Sequence, residues 1–276
     1  MVIDTSSYDS IKKTLVKNFN LTETRLYDLI LEAMNAARKK DLPFNTDIFH
    51  TKLREIIIEY YCKECPNEIM LFHLSRRLNG IQDVNGYNLD HLLTTENVLS
   101  DFFKKHDICF SKNEYGHIDI IYKNKLISLT DEFQDGVGYL RNRLGHNKNR
   151  IDNCFNGFMF GYGLELEYTK TLRKGPEFLQ CLSRFLNNQN ILNDYMKNSS
   201  YYCFSYKLPL NKVIFDFNDK LTLVEKSYYL IESILIRIYE DNFLEKNESK
   251  TNPILRLNHY ENIPSEFFVE RKTLKS

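Results

Sequence analysis

"ICFSKNEYGHIDIIYKNKLISL", residues Ile108 to Leu129, decides the fold class. Its isoleucines and aromatic residues fall into two or three short runs, separated by the turn signals "NEYG" and "KNK", and such runs read as short strands. The segments on either side carry helical spacing instead. The predicted fold is therefore α+β, predominantly α-helical, with short antiparallel strands in the middle and late parts of the chain.

Upstream, Leu26, Leu29, Ile30, Ala33, Met34 and Ala37 form one stripe at helical spacing. Asn20 with Glu23 resembles a capping box for that helix, and "KKDLPF" stops it. A further helix is predicted from about Thr46 to Tyr61, ending before Pro66. "IMLFHLS" reads as a strand and "NLDHLLTTENVLSDFFKKH" as helical.

Downstream, Ser128 or Thr130 can cap a helix with Asp131 and Glu132 in its first turn and Phe133, Val137, Leu140 and Leu144 as its stripe. Gly136 and Gly138 weaken it by roughly 1 kcal/mol each relative to Ala, which implies close approach by another backbone or an early end. Gly145 suits its C-terminus. "NCFNGFMFGYG" reads as a strand, "PEFLQCLSRFL" as a helix and "YYCFSYKLPLNKVIFDF" as extended chain. Thr222 and Glu225 form a capping box that opens a helix with Val224, Tyr228, Ile231, Ile234, Leu235 and Ile238 on one face. The expected division is a helical N-terminal part over 1–66 and an α+β core over 67–276.

Bulk properties bound the function. Lys and Arg number 37, as do Asp and Glu, so no overall basic field draws in nucleic acid, and an RNA site must be a local patch. The N-terminus lacks the apolar core of a signal sequence, and no segment reaches the roughly 18 apolar residues of a membrane span. The expectation is a cytoplasmic protein, with no membrane partner and reduced thiols. There is no Gly-x-x-x-x-Gly-Lys-Ser/Thr loop, no Gly-x-Gly-x-x-Gly, no His-Glu-x-x-His and no Gly-x-Ser-x-Gly.

The densest polar motif is "LRNRLGHN", Leu140 to Asn147. Asn142 and His146 are four apart and share a helical face, whereas Arg141 and His146 stand about 140° apart on an ideal helix. They converge only if the helix ends near Gly145 or a second copy completes the site. The chemistry suits phosphodiester cleavage without a metal: histidine moves a proton, and the planar fork of arginine stabilises charge on the phosphorane. Lys148, Arg150 and Lys170 add local positive charge for a phosphate backbone. The structural alternative is a helix end whose cations complement the dipole.

This motif resembles the R-N-x-x-x-H signature of HEPN ribonucleases, a mainly helical family that includes abortive-infection toxins and commonly forms dimers. The resemblance implies metal-independent RNA cleavage leaving a 2′,3′-cyclic phosphate. His146 would be the general acid/base, Arg141 the phosphate stabiliser, and Asn142 would position the histidine or contact RNA. It also implies a homodimer without cofactor, in a toxin or phage-defence system with an antitoxin or defence-complex partner.

A second constellation, "FHLSRR", places His73, Ser75, Arg76 and Arg77 at the end of a strand, with Glu165, Glu167 and Tyr168 much later. This faintly resembles ADP-ribosyltransferase toxins, which implies NAD as cofactor, His73 holding its ribose and Tyr168 stacking on nicotinamide. The alternatives are a core-edge histidine beside a solvated arginine patch, or a non-catalytic interaction protein. Finally, Cys62 and Cys65 form half of a zinc pattern, with His73 and Cys109 as the residues to complete it; ordinary half-buried cysteines are the favoured reading, and no metal is expected.

Overall fold

The computed structural model describes residues 2–38, 42–60, 66–130, 135–147, 152–164, 169–216, 218–245 and 250–275. The chain is α+β with helices predominating. It forms two compact units, one made of Met1–Leu71, Phe158–Leu164 and Lys207–Leu255, the other of Phe72–Gly157, Glu165–Tyr206 and Arg256–Ser276. The first unit joins the N-terminal helices to two later segments. The apolar stripes of its N-terminal helices need cover, and the late helix that packs on them lies far along the chain.

In the first unit, strand β1 (Val2–Ile3) precedes α1 (Tyr8–Phe19), α2 (Glu23–Ala37) and α3 (Thr46–Tyr60). All six predicted stripe residues of α2 are buried. Its cap is a correction. Asn20 ends α1 in the left-handed region at φ 51°, which asparagine tolerates, and Thr22 caps α2 by accepting the Arg25 N–H at 3.2 Å. The last helix, α10 (Leu223–Phe243), opens on the predicted Thr222–Glu225 capping box. Ile231, Ile234, Leu235 and Ile238 are buried, whereas Val224 in its first turn is exposed.

Strand β2 (Glu68–Leu78) belongs to a seven-stranded sheet with β1, β6 (Asn156–Phe158), β7 (Ser199–Pro209), β8 (Ile214–Phe215), β9 (Ile254–Arg256) and β10 (Phe268–Thr273). Its order is β10-β7-β2-β6-β9-β8, with β1 parallel to β2 at Ile3 and Ile69. Along the second half of β2 burial alternates: Leu74, Arg76 and Leu78 are buried, while His73, Ser75 and Arg77 are half-buried. This is the period-2 pattern of a strand with two different faces.

The second unit also contains the opening stretch as a three-stranded antiparallel sheet, β3 (Ile108–Lys112), β4 (Ile118–Tyr122) and β5 (Lys125–Leu126). Lys123 and Asn124, at φ 52° and 61°, supply the two left-handed residues of a tight hairpin. Ahead of it, the predicted helical stretch from Asn88 breaks into α4 (Leu89–Thr94) and α5 (Val98–Lys104), because Asn97 turns outward to cap α5. The helix α6 (Val137–Arg143) lays Val137, Leu140 and Leu144 into a core shared with Ile118 and Ile120 of β4 and Leu179 and Leu182 of α8 (Glu177–Phe185). Each such side chain contributes about 1.5–3 kcal/mol by leaving water. Gly136 is the N-cap of α6, at φ 83°, and a Cβ there would lie 3.5 Å from the Cys181 carbonyl oxygen of α8. That is ordinary contact distance, so the positive φ is what calls for glycine at 136, and a Cβ at Gly138 would face open space. The expected first turn at 131–134 lies outside the described residues.

Among the described residues no helix is long and apolar enough to cross a membrane.

Candidate functional site

The second unit gathers polar side chains in two places, and each contains one of the histidines singled out by sequence.

The first lies where α6 stops. Leu144 is the C-cap, Gly145 takes φ 80°, and the His146 N–H donates to the Arg141 carbonyl at 2.8 Å. This is the six-to-one bond of a Schellman ending, with glycine at the left-handed position. The chain thus reverses, and the backbones of Arg141 and His146 touch across the turn. The helix ends where the geometry of the motif requires.

The reversal also docks His146 against β4. Its Nε2–H donates to the Ile118 carbonyl at 2.8 Å, with Asp119 Oδ1 3.4 Å from the same nitrogen. The second nitrogen, Nδ1, has no hydrogen-bond partner among the described residues. Beside it stands His117, with ring centroids 5.1 Å apart. The turn before β4 sets that residue: Asn113 Oδ1 accepts the N–H groups of Tyr115 and His117, both at 3.0 Å, and Asn113 Nδ2 donates to Asp119 at 3.1 Å. Neither ring nitrogen of His117 has a hydrogen-bond partner among the described residues.

Asn142 Oδ1 accepts from Asn147 Nδ2 at 2.8 Å, so the asparagine braces the turn. Arg143 pairs with Asp152 at 3.1 Å. Arg141 and Arg143 stand in the last turn of α6, where cations complement the dipole. Structural roles thus account for Gly145, Asn142 and Arg143, and Ile118 and Asp119 hold His146 through Nε2; they leave the His117 imidazole beside it unaccounted for. Lys170 is exposed at the start of α7 (Lys170–Arg173). Lys148 and Arg150 lie outside the described residues.

The second place is a cavity of about 390 Å³ beside β2, lined by His73, Ser75, Arg77, Tyr87, His91 and Phe155 among others. His73 Nδ1–H donates to the Asn156 carbonyl at 2.7 Å, and its ring packs against Phe155, tilted by 35° with centroids 4.3 Å apart. Burial pushes its pKa down to about 4, against the Asn156 hydrogen bond and with help from the positive charge of Arg77. The ring is therefore neutral, its single proton sits on Nδ1, and Nε2 presents a lone pair. Arg77 lies over the Phe204 ring, 4.2 Å from its centroid, and donates to the carbonyls of Asp83 and Asn85 at 2.9 and 3.0 Å.

The alternative of a solvated arginine patch is overturned. Arg76 is 6% exposed on the opposite face and donates to the Ser199 hydroxyl and to the carbonyls of Ser199, Met196 and Arg173. It holds chain segments together. Tyr168, the expected nicotinamide partner, and Glu165 and Glu167 lie outside the described residues.

Among the described residues no three or more His, Cys, Asp or Glu side chains are arranged to hold a metal ion. Cys109 is a free, exposed thiol, and Cys62 and Cys65 lie outside the described residues.

His117 and Asp119 are the participants that sequence reasoning missed. The dipeptide around a hairpin turn gives no local signal that it meets a distant helix end. No family model, curated protein or solved structure matches the chain.

Proposed function

We propose that the end of α6 and the turn before β4 form the active site of a metal-independent endoribonuclease. The observation that supports this reading is the pair of adjacent imidazoles. His146 is oriented through Nε2 by Ile118 and Asp119, His117 stands 5.1 Å away, and the His146 N–H bonds the carbonyl of the motif's arginine. An acid/base imidazole oriented by a carbonyl or carboxylate is the recurring form of a proton-transfer site.

In the reaction one imidazole takes the proton of the ribose 2′-hydroxyl as O2′ bonds to phosphorus. The P–O5′ bond breaks, and the other imidazole gives its proton to O5′. The products are a 2′,3′-cyclic phosphate and a 5′-hydroxyl end, so no metal, water or oxidant enters this step. His146 and His117 are the acid/base pair. Arg141 stabilises the charge on the phosphorane, and Asn142 holds the turn on which His146 rides. Lys148 and Arg150 supply backbone attraction. The physiological role is that of a toxin or defence effector, acting as a homodimer under control of an antitoxin or defence-complex partner.

The test is RNA cleavage in EDTA by the wild type and by Arg141→Ala and His146→Ala. Positioned acid/base groups contribute about 10²- to 10⁴-fold, so each substitution is expected to remove at least a hundredfold. Cleavage that survives both substitutions, or that depends on added metal, refutes the reading. Light scattering checks the dimer.

A further inference from the structure

We infer that the cavity beside β2 is a separate binding site for a ribonucleoside monophosphate, with a sugar hydroxyl on His73 and the phosphate towards Arg77. The proposal stands apart from RNA cleavage, since none of its residues belongs to the end of α6.

His73, Ser75 and Arg77 alternate along one face of β2, and the Arg77 charge is near enough to act on the His73 ring. In order they present a bare acceptor, a hydroxyl and a cation. The acceptor is fixed: with Nδ1–H committed to Asn156, His73 Nε2 can only receive a hydrogen bond, and no described residue supplies one. A ligand O–H satisfies it. The cation is also fixed, because Arg77 sits over the Phe204 ring and is clamped by two loop carbonyls. A guanidinium fork held in one orientation suits a phosphate.

Aromatic surface completes the match. Tyr87 and His91 stack with centroids 4.3 Å apart and rings 13° from parallel, and both line the cavity. They offer a platform for a planar base. Hydroxyl donor, anion and planar ring together describe a nucleotide.

Size and charge then choose among nucleotides. About 390 Å³ is at the small end of the range of roughly 300–1,000 Å³ for small-molecule sites, which suits one base and sugar and not a dinucleotide. Asp83 stands at the lining beside Arg77, its pKa lowered because hydrogen bonds from Asn85 and Tyr87 and the charge of Arg77 outweigh the effect of burial. That negative charge next to the Arg77 guanidinium opposes a triphosphate and tolerates a single phosphate.

The experiment titrates AMP, GMP, CMP and UMP, their 2′,3′-dideoxy counterparts, and NAD into the full chain by calorimetry. At least one monophosphate is expected to bind saturably. Its affinity should fall at least tenfold in His73→Ala, in Arg77→Met and with the dideoxy counterpart; the last arm needs no variant to fold. Binding should also disappear as the pH falls towards 4, when His73 gains a proton and loses its lone pair. No monophosphate binding at millimolar concentration overturns the proposal, as does affinity indifferent to both substitutions and to the missing hydroxyls. NAD binding tenfold tighter than every monophosphate overturns the size assignment and, with nicotinamide release, identifies an NAD-consuming transferase instead.

Discussion

The two polar places in the second unit hold their histidines in opposite ways. At the end of α6, His146 is gripped through Nε2 and leaves Nδ1 bare; on β2, His73 is gripped through Nδ1 and leaves Nε2 bare. The first has a carboxylate beside the gripped nitrogen and a second imidazole within reach. The second has no acidic partner on its ring, only an aromatic face, a backbone carbonyl and a nearby guanidinium. One arrangement suits moving protons between two imidazoles. The other freezes a neutral ring as a hydrogen-bond acceptor. The same side chain is given different chemistry by the nitrogen its neighbours choose and by the charge they bring.

The comparison can be broken most forcefully at the scaffold of the second place. Arg76→Met removes four hydrogen bonds, taking this donor from the buried carbonyl of Ser199 and the half-buried carbonyls of Met196 and Arg173. Urea unfolding is expected to show a loss of about 3–5 kcal/mol, since each unsatisfied buried group costs roughly 1–3 kcal/mol. A loss below about 1 kcal/mol would mean that β2 is held by other means.

Next in size is the pH dependence set by His73. Its folded pKa of about 4 lies below the ordinary value of 6.5, so the unfolded chain binds the proton first as pH falls. Stability is full above about pH 6.5 and declines towards pH 4, by at most about 3 kcal/mol at 1.4 kcal/mol per unit of pKa difference. His73→Gln should flatten that part of the stability-versus-pH curve. An unchanged slope in the variant would show that the ring is not held neutral.

Gly145→Ala probes the first place more gently. A side chain at φ 80° strains the backbone by roughly 1–2 kcal/mol. Thermal melting should register that loss, and RNA cleavage should fall as His146 swings away from Ile118 and Asp119. Unaltered cleavage together with the expected melting change would detach the turn from catalysis.

The smallest and sharpest probe separates the two imidazoles. If His117 gives the proton to O5′, His117→Ala should slow cleavage of RNA far more than cleavage of a uridine 3′-phosphodiester with a 4-nitrophenol leaving group, which departs without a proton. Equal slowing of both substrates would assign His117 a positioning role.

Much of this was legible in the sequence where the signal is local. The stripe of α2, the capping box of α10, the hairpin of Ile108–Leu129 and the stop at Gly145 all follow from periodicity, caps and turn chemistry. The same alternation that makes "FHLSRR" a strand also puts His73, Ser75 and Arg77 on one face. Local reasoning failed at Asn20, where a capping signal belonged to the end of the preceding helix, and at Arg76–Arg77, where adjacent arginines went to opposite faces with opposite fates.

The sequence alone thus determined the mixture of helices and strands, and the point at which α6 must end, because those depend on neighbours within a few residues. Tertiary structure alone decided that His146 meets His117 and Asp119, that His73 spends Nδ1 on Asn156, and that the first unit closes with α10. Each of these depends on which surfaces of a folded chain bury one another, and a distance in space is not written in the spacing of residues.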